Sequence, residues 1–193
     1  MYMSTALFDL FKFSKLLDIT DGKIELMNTL VTMIPTSILC EQQKTLIESL
    51  GMEKAYNLLY SKAKSGSLSY NQSFIKKRGL ADKRKIIDWQ IKIVAFSGWG
   101  DLEPALVDFN NNKFLVHFKS SPYPEAYGKA KYAVDFISTG FVAGGLSAAV
   151  GMDLDAVETS CRARGDGFCE IEVAVPDKIN NLRSSLWEKW GVT

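Results

Sequence analysis

The chain is short of the residues from which most polar active sites are built. Among its 193 residues there is one histidine, His117, and there are three cysteines, Cys40, Cys161 and Cys169. With a single histidine and no nucleophile and base pair in evidence, covalent catalysis has little to work with, and no catalytic residue is assigned. The N-terminus lacks a basic start followed by an unbroken apolar core, because Asp9, Lys12 and Lys15 interrupt it. Few thiols and no secretory signal make a disulfide framework the weaker reading and a cytoplasmic location the expected one. Charge of one sign is also missing: 23 lysines and arginines stand against 22 aspartates and glutamates. The global charge therefore recruits neither nucleic acid nor an anionic membrane. Long hydrophobic runs are absent as well. The longest uncharged stretch, Phe136 to Met152, falls short of the roughly 20 residues of a spanning helix. Its many Gly, Ser and Thr residues suit a buried helix packed closely through small side chains. A dinucleotide fingerprint is lacking too, since the Gly140 to Gly145 run falls inside that helix rather than between a strand and a helix start.

What remains is the composition of an ordinary globular protein, 47% hydrophobic and 23% charged. We expect one domain over residues 1–193, mainly helical over 1–97 and sheet-bearing over 98–193. Asp21-Gly22 signals a turn, and Lys23 to Ile34 reads as one or two short strands broken near Asn28. Pro35 and Thr36 open a helix to Leu50. A second runs from Glu53 to about Lys64, with Gly66 beyond its end. Lys76 to Lys85 gathers six cations around Gly79, which reads as a solvated corner between helices. A helix from Ala81 to Phe96 precedes a hairpin, Ala105 to Phe109 and Lys113 to Lys119. His117 on the more polar face of that hairpin reads as a surface residue. Pro122 and Pro124 mark a loop before a helix from Lys131 to Gly151. Strands Val157 to Ala163 and Phe168 to Val175 and a closing helix from Asp177 to Trp190 complete an α+β order without βαβ alternation.

The strongest local signal is Glu158-Thr159-Ser160-Cys161-Arg162-Ala163-Arg164-Gly165-Asp166-Gly167-Phe168-Cys169. A three-residue loop at Gly165 to Gly167 sets Cys161 and Cys169 diagonally on one face of a hairpin, roughly 7 to 8 Å apart at the backbone. Two side chains can then converge on an ion about 2.3 Å from each sulfur. Glu158 sits an odd number of residues from Cys161 and reaches that face only if the chain bends, bulges or turns between them. A disulfide and two unrelated thiols are the alternatives.

These pieces in order carry a resemblance: Asp21-Gly22 with Ile34-Pro35, Gly51 before Ala55 to Tyr60, Gly98-Trp99-Gly100, the Asp135 to Gly144 segment, and Glu158, Cys161, Gly165-Asp166 and Cys169. The chain resembles the 4-vinyl reductase domain family, which shares its fold with TRAPP vesicle-tethering subunits and with the aromatic-sensing domains of phenol- and xylene-responsive activators. The resemblance implies a structural zinc ion on Glu158, Cys161 and Cys169. It places a fourth ligand, a cysteine in the sensing relatives, at Asp135, which is also suited to capping the following helix. It further implies a cavity for a small hydrophobic or aromatic molecule beside the metal. Trp99, Phe114, Phe118, Phe136 and Phe141 are suitable lining, though aromatics at such positions are also ordinary core. The expected role is a non-enzymatic sensor acting through a homodimer or a regulatory protein partner. Leu7, Phe8, Leu10, Phe11 and Phe13, read as an apolar N-terminal helix, suit the dimer. A 4-vinyl reductase-like enzyme of tetrapyrrole metabolism and a TRAPP-like assembly subunit are the alternatives.

Overall fold

The computed structural model describes residues 17–26 and 29–192. The expected N-terminal apolar helix lies outside the described residues. The chain divides into two compact units, Met1–Pro35 and Thr36–Thr193. The first carries an antiparallel three-stranded sheet of β1 (Leu17–Thr20), β2 (Lys23–Leu26) and β3 (Thr29–Val31). Asp21-Gly22 is its first turn, both residues at positive φ, and the strand before it, β1, carries no clear signal in the sequence pattern.

In the second unit three helices come first: α1 (Thr36–Leu50), α2 (Met52–Arg78) and α3 (Lys83–Phe96). The second is 27 residues long and passes straight through Gly66, where the sequence pattern predicts a stop. One exposed glycine costs a helix about 1 kcal/mol, and packing along the whole length of α2 outweighs that. The true stop is Gly79, at φ 61, whose N–H reaches back to the Ile75 and Lys76 carbonyls. Asp82 then caps α3 by accepting from the Arg84 and Lys85 amides, so the six cations do flank a corner between helices.

The sheet of this unit runs β4-β5-β7-β6, antiparallel throughout, from β4 (Asp101–Asp108), β5 (Lys113–Ser120), β6 (Asp155–Ser160) and β7 (Cys169–Ala174). Alternation sets Phe114, Val116 and Phe118 of β5 beside Val173, Ile171 and Cys169 of β7, all on the buried face. His117 points the other way and pairs with Glu170 at 2.8 Å, a partly exposed cross-strand contact. Pro122 and Pro124, expected in a loop, sit in a short helix, α4 (Pro122–Tyr127), whose first position suits proline.

The buried helix α5 (Phe136–Val150) begins five residues later than expected. Residues before it are held outside the helix: the Ala130 amide donates to the Ala163 carbonyl at 2.8 Å, and Gln43 Nε2 donates to the Val134 carbonyl at 2.7 Å. α5 is apolar all round and is covered by α2, α3 and the sheet. Gly140 and Gly144 bring its backbone against that of α2, and Ser67 Oγ bonds the Phe141 carbonyl at 2.8 Å. The closing helix α6 (Pro176–Trp190) covers the outer face of β6 and β7, with Val157, Ala174 and Ile179 buried between them. No helix among the described residues is long and apolar enough to cross a membrane.

Candidate metal centre

β6 is buried on both faces at Ala156, Val157 and Glu158, and the period of two puts Glu158 on the core side with Ala156. In an unbroken strand Cys161 would face the opposite way. The β6–β7 register slips between Glu158 and Ser160, where Glu158 pairs with Ile171 but Ser160 with Glu170. This bulge inserts one residue and returns Cys161 to the side of Glu158. The three-residue hairpin loop is corrected at the same point. Cys161 does not face Ile171, because the strand ends at Ser160 and a 3₁₀ turn, Arg162–Arg164, follows.

Backbone and one carboxylate shape this turn. The Arg164 and Asp166 amides donate to the Cys161 carbonyl at 3.0 and 3.3 Å, and Gly165 takes φ 94. Asp166 Oδ2 accepts from the Cys161 amide at 2.8 Å, closing the loop on itself. The Arg162 amide donates to Cys169 Sγ at 3.3 Å. Donor atoms of Glu158, Cys161 and Cys169 come to lie within 4.8 Å of one another, all buried. All three cysteines are free thiols.

Electrostatics mark the place. Burial, and then the nearby Asp135 carboxylate, push Glu158 well above the ordinary glutamate range. Burial raises Asp135 to about 6. Cys161 is driven up by its contact with Cys169 and by burial. Cys169 is drawn down to about 7, chiefly by the Cys161 thiol and with help from the Arg162 amide, against the effect of burial. No lysine or arginine neutralises either carboxylate. Glu158 Oε2 accepts from the Asp135 amide at 2.9 Å, whereas buried Oε1 has no hydrogen-bond partner. Buried carboxylates are ordinarily paired or bound to a cation. Two thiols and an unsatisfied carboxylate oxygen fit zinc, whose shell takes thiolate and carboxylate donors together.

Asp135 sits beside the group in a different role. It is the N-cap of α5, with Oδ1 accepting from the Ser138 amide and Oδ2 from Ser121 Oγ, each at 3.2 Å. Phe114, Phe118 and Phe136 belong to the buried core, and Phe118 is the cross-strand partner of Cys169. Phe136 meets Tyr56 edge-on at 5.0 Å. Trp99 and Phe141 form a separate half-buried pair, edge-on at 4.9 Å. An open hollow lined by Asp18, Thr20, Asp21, Lys23 and Glu25 lies on the small sheet of the first unit and shares no residue with this set. Asp166 and the Arg162 amide are site members that the sequence pattern does not single out. The Gly-Asp-Gly triplet holds the clue to the first, since aspartate in such turns bonds nearby amides.

Residues 115–175, which contain all four of these polar residues, match the model of the vinyl-4-reductase domain. No curated protein matches the chain. Among solved structures, the phenol-responsive sensory domain of the transcription activator PoxR, determined with phenol, matches with a TM-score of 0.79 at 19% identity, over 96% of this chain and 97% of that one. A vinyl-4-reductase family protein from Methanocaldococcus jannaschii matches with a TM-score of 0.51 at 17% identity, over 74% and 82%. A trafficking protein particle complex subunit 3 from Naegleria fowleri, covalently bound to palmitic acid, gives 0.49 at 14% identity, over 72% and 93%. The α+β fold is thus of the vinyl-4-reductase type.

Proposed function

We propose that this chain, which carries a vinyl-4-reductase domain at residues 115–175, is a sensor that binds a small apolar or aromatic molecule and holds a structural zinc ion beside the binding wall. The observation that carries the sensor reading is the near end-to-end match to a phenol-bound sensory domain. The metal reading is supported by the unpartnered Glu158 oxygen among two buried thiols. When bound, zinc would act as a crosslink tying the β6–β7 turn to the sheet. Glu158, Cys161 and Cys169 would hold it, and the amides of Asp135 and Arg162 orient two of those donors. Phe118, opposite Cys169, joins the metal site to the aromatic set.

The ligand is taken to reach Trp99 and Phe141, the two members of the aromatic set that are not sealed into the core. Binding produces a signal only if the ligand prefers one conformation or assembly over another. A second copy of the chain or a regulatory protein then receives the output. A panel of phenols, cresols, indole and short-chain lipids tests the reading by thermal unfolding. A ligand at 100 times its Kd adds about 2.7 kcal/mol, which raises Tm by about 5 to 10 °C in a chain of this size. Trp99→Ala should lose that shift while keeping its metal. A flat response across the whole panel would count against a sensor and in favour of an assembly subunit.

A further inference from the structure

We infer that Asp135 positions Glu158 but does not donate to the metal, so that the ion held by this chain keeps one position for a small external donor. The inference rests on the metal reading above and concerns how the shell is completed.

The two buried carboxylates of the site are in opposite states. Both Asp135 oxygens are in use, one on the Ser138 amide and one on the Ser121 hydroxyl. Glu158 has one oxygen on the Asp135 amide and the other with no partner at all. The first carboxylate is satisfied by the start of α5, where the helix dipole also favours an anion. The second is left to meet a cation. Moving Asp135 to the ion would strip the cap from α5 and leave the buried Ser138 amide without its acceptor. The close donor group accordingly contains Glu158, Cys161 and Cys169 and not Asp135, and among the described residues no other His, Cys, Asp or Glu completes it.

Asp135 still serves the site, through its backbone. Its amide fixes Glu158 Oε2, and the chain just before it, at Val134, lies against the Cys161 sulfur. Three protein donors with a fourth position open is the arrangement that lets zinc take an exchangeable ligand. Cys161 and Cys169 are almost fully buried, and Phe118 and Ala163 flank them. A site so enclosed selects a small monodentate nitrogen, oxygen or sulfur donor over anything extended.

Cobalt(II) substitution after chelation reads the shell directly, with imidazole as the probe. The expected result is a saturable shift of the visible cobalt bands of the wild-type chain on adding imidazole. Asp135→Asn keeps the backbone amide and a capping oxygen, so it should preserve that shift and change Co2+ affinity by less than about 10-fold, the lower end of what loss of an outer-shell partner costs. Asp135→Cys should fill the fourth position, strengthen the sulfur-to-cobalt band and abolish the imidazole response. A wild-type spectrum insensitive to imidazole would overturn this inference alone. Failure of the wild-type chain to take up Co2+ or Zn2+ would overturn it together with the metal reading.

Discussion

Cys161→Ser should empty the metal site and lower the melting temperature by about 10 °C, the equivalent of roughly 3 kcal/mol in a chain of this length. A hydroxyl is a poor substitute for thiolate toward zinc, and metal binding to a site that exists only in the folded chain is itself folding free energy. The loss should be this large because of what stays behind: a buried Glu158 whose Oε1 has no partner and a Cys169 sulfur deprived of the neighbour that lowers its pKa. Two controls separate metal loss from simple core damage. Chelation of the wild-type chain should produce a similar fall, and Cys161→Ser should then be indifferent to chelator. Cys40→Ser alters another fully buried thiol, outside the donor group, and should retain the metal. A Cys161→Ser chain with full metal content and unchanged Tm would refute the site.

Gly144→Val is the second large effect, and it acts through packing. A Cβ at Gly144 would run into the Lys64 carbonyl oxygen and come within 2.8 Å of the Leu68 amide nitrogen and 2.9 Å of Ser67 Cβ. Two of these are backbone atoms of α2, which yield only if the helices separate. Alanine alone should cost about 3 kcal/mol, at the upper end of overpacking penalties, and valine enough to prevent folding at 37 °C. Its neighbour should behave in the opposite way. A Cβ at Gly145 meets only the Gln90 side chain at 3.5 Å, ordinary contact. Gly145→Ala should therefore gain up to about 1 kcal/mol of helix propensity. Urea unfolding of the two alanine variants checks the pair. Equal effects at the two positions would mean that α2 and α5 are not in backbone contact.

Much of the architecture is legible in the sequence because it rests on local signals. Asp21-Gly22, the Leu50-Gly51 helix end, the alternation of Phe114, Val116 and Phe118 and the uncharged small-residue run of α5 each point to one local structure. The departures share a cause in contacts made far along the chain. Gly66 has the look of a helix stop, yet α2 continues because α5 packs along it. The helix start at Phe136 is set by bonds from Gln43 and Ala163, both remote in sequence. At the metal centre the two thiols and Glu158 are readable as a set, but the bulge that unites them is not, since nothing in Thr159-Ser160 announces an extra residue in the ladder. Asp135 is open to two roles on sequence, ligand or cap. Its hydrogen bonds to Ser138 and Ser121 put it in the capping position.

The account stands most directly on the mass of the freshly purified chain, measured under native conditions and again after denaturation in the same instrument. One zinc ion per chain, present in the native spectrum, lost on denaturation and missing from Cys161→Ser, is the predicted result. A native spectrum showing only the bare polypeptide mass, from protein purified without chelator, would contradict it.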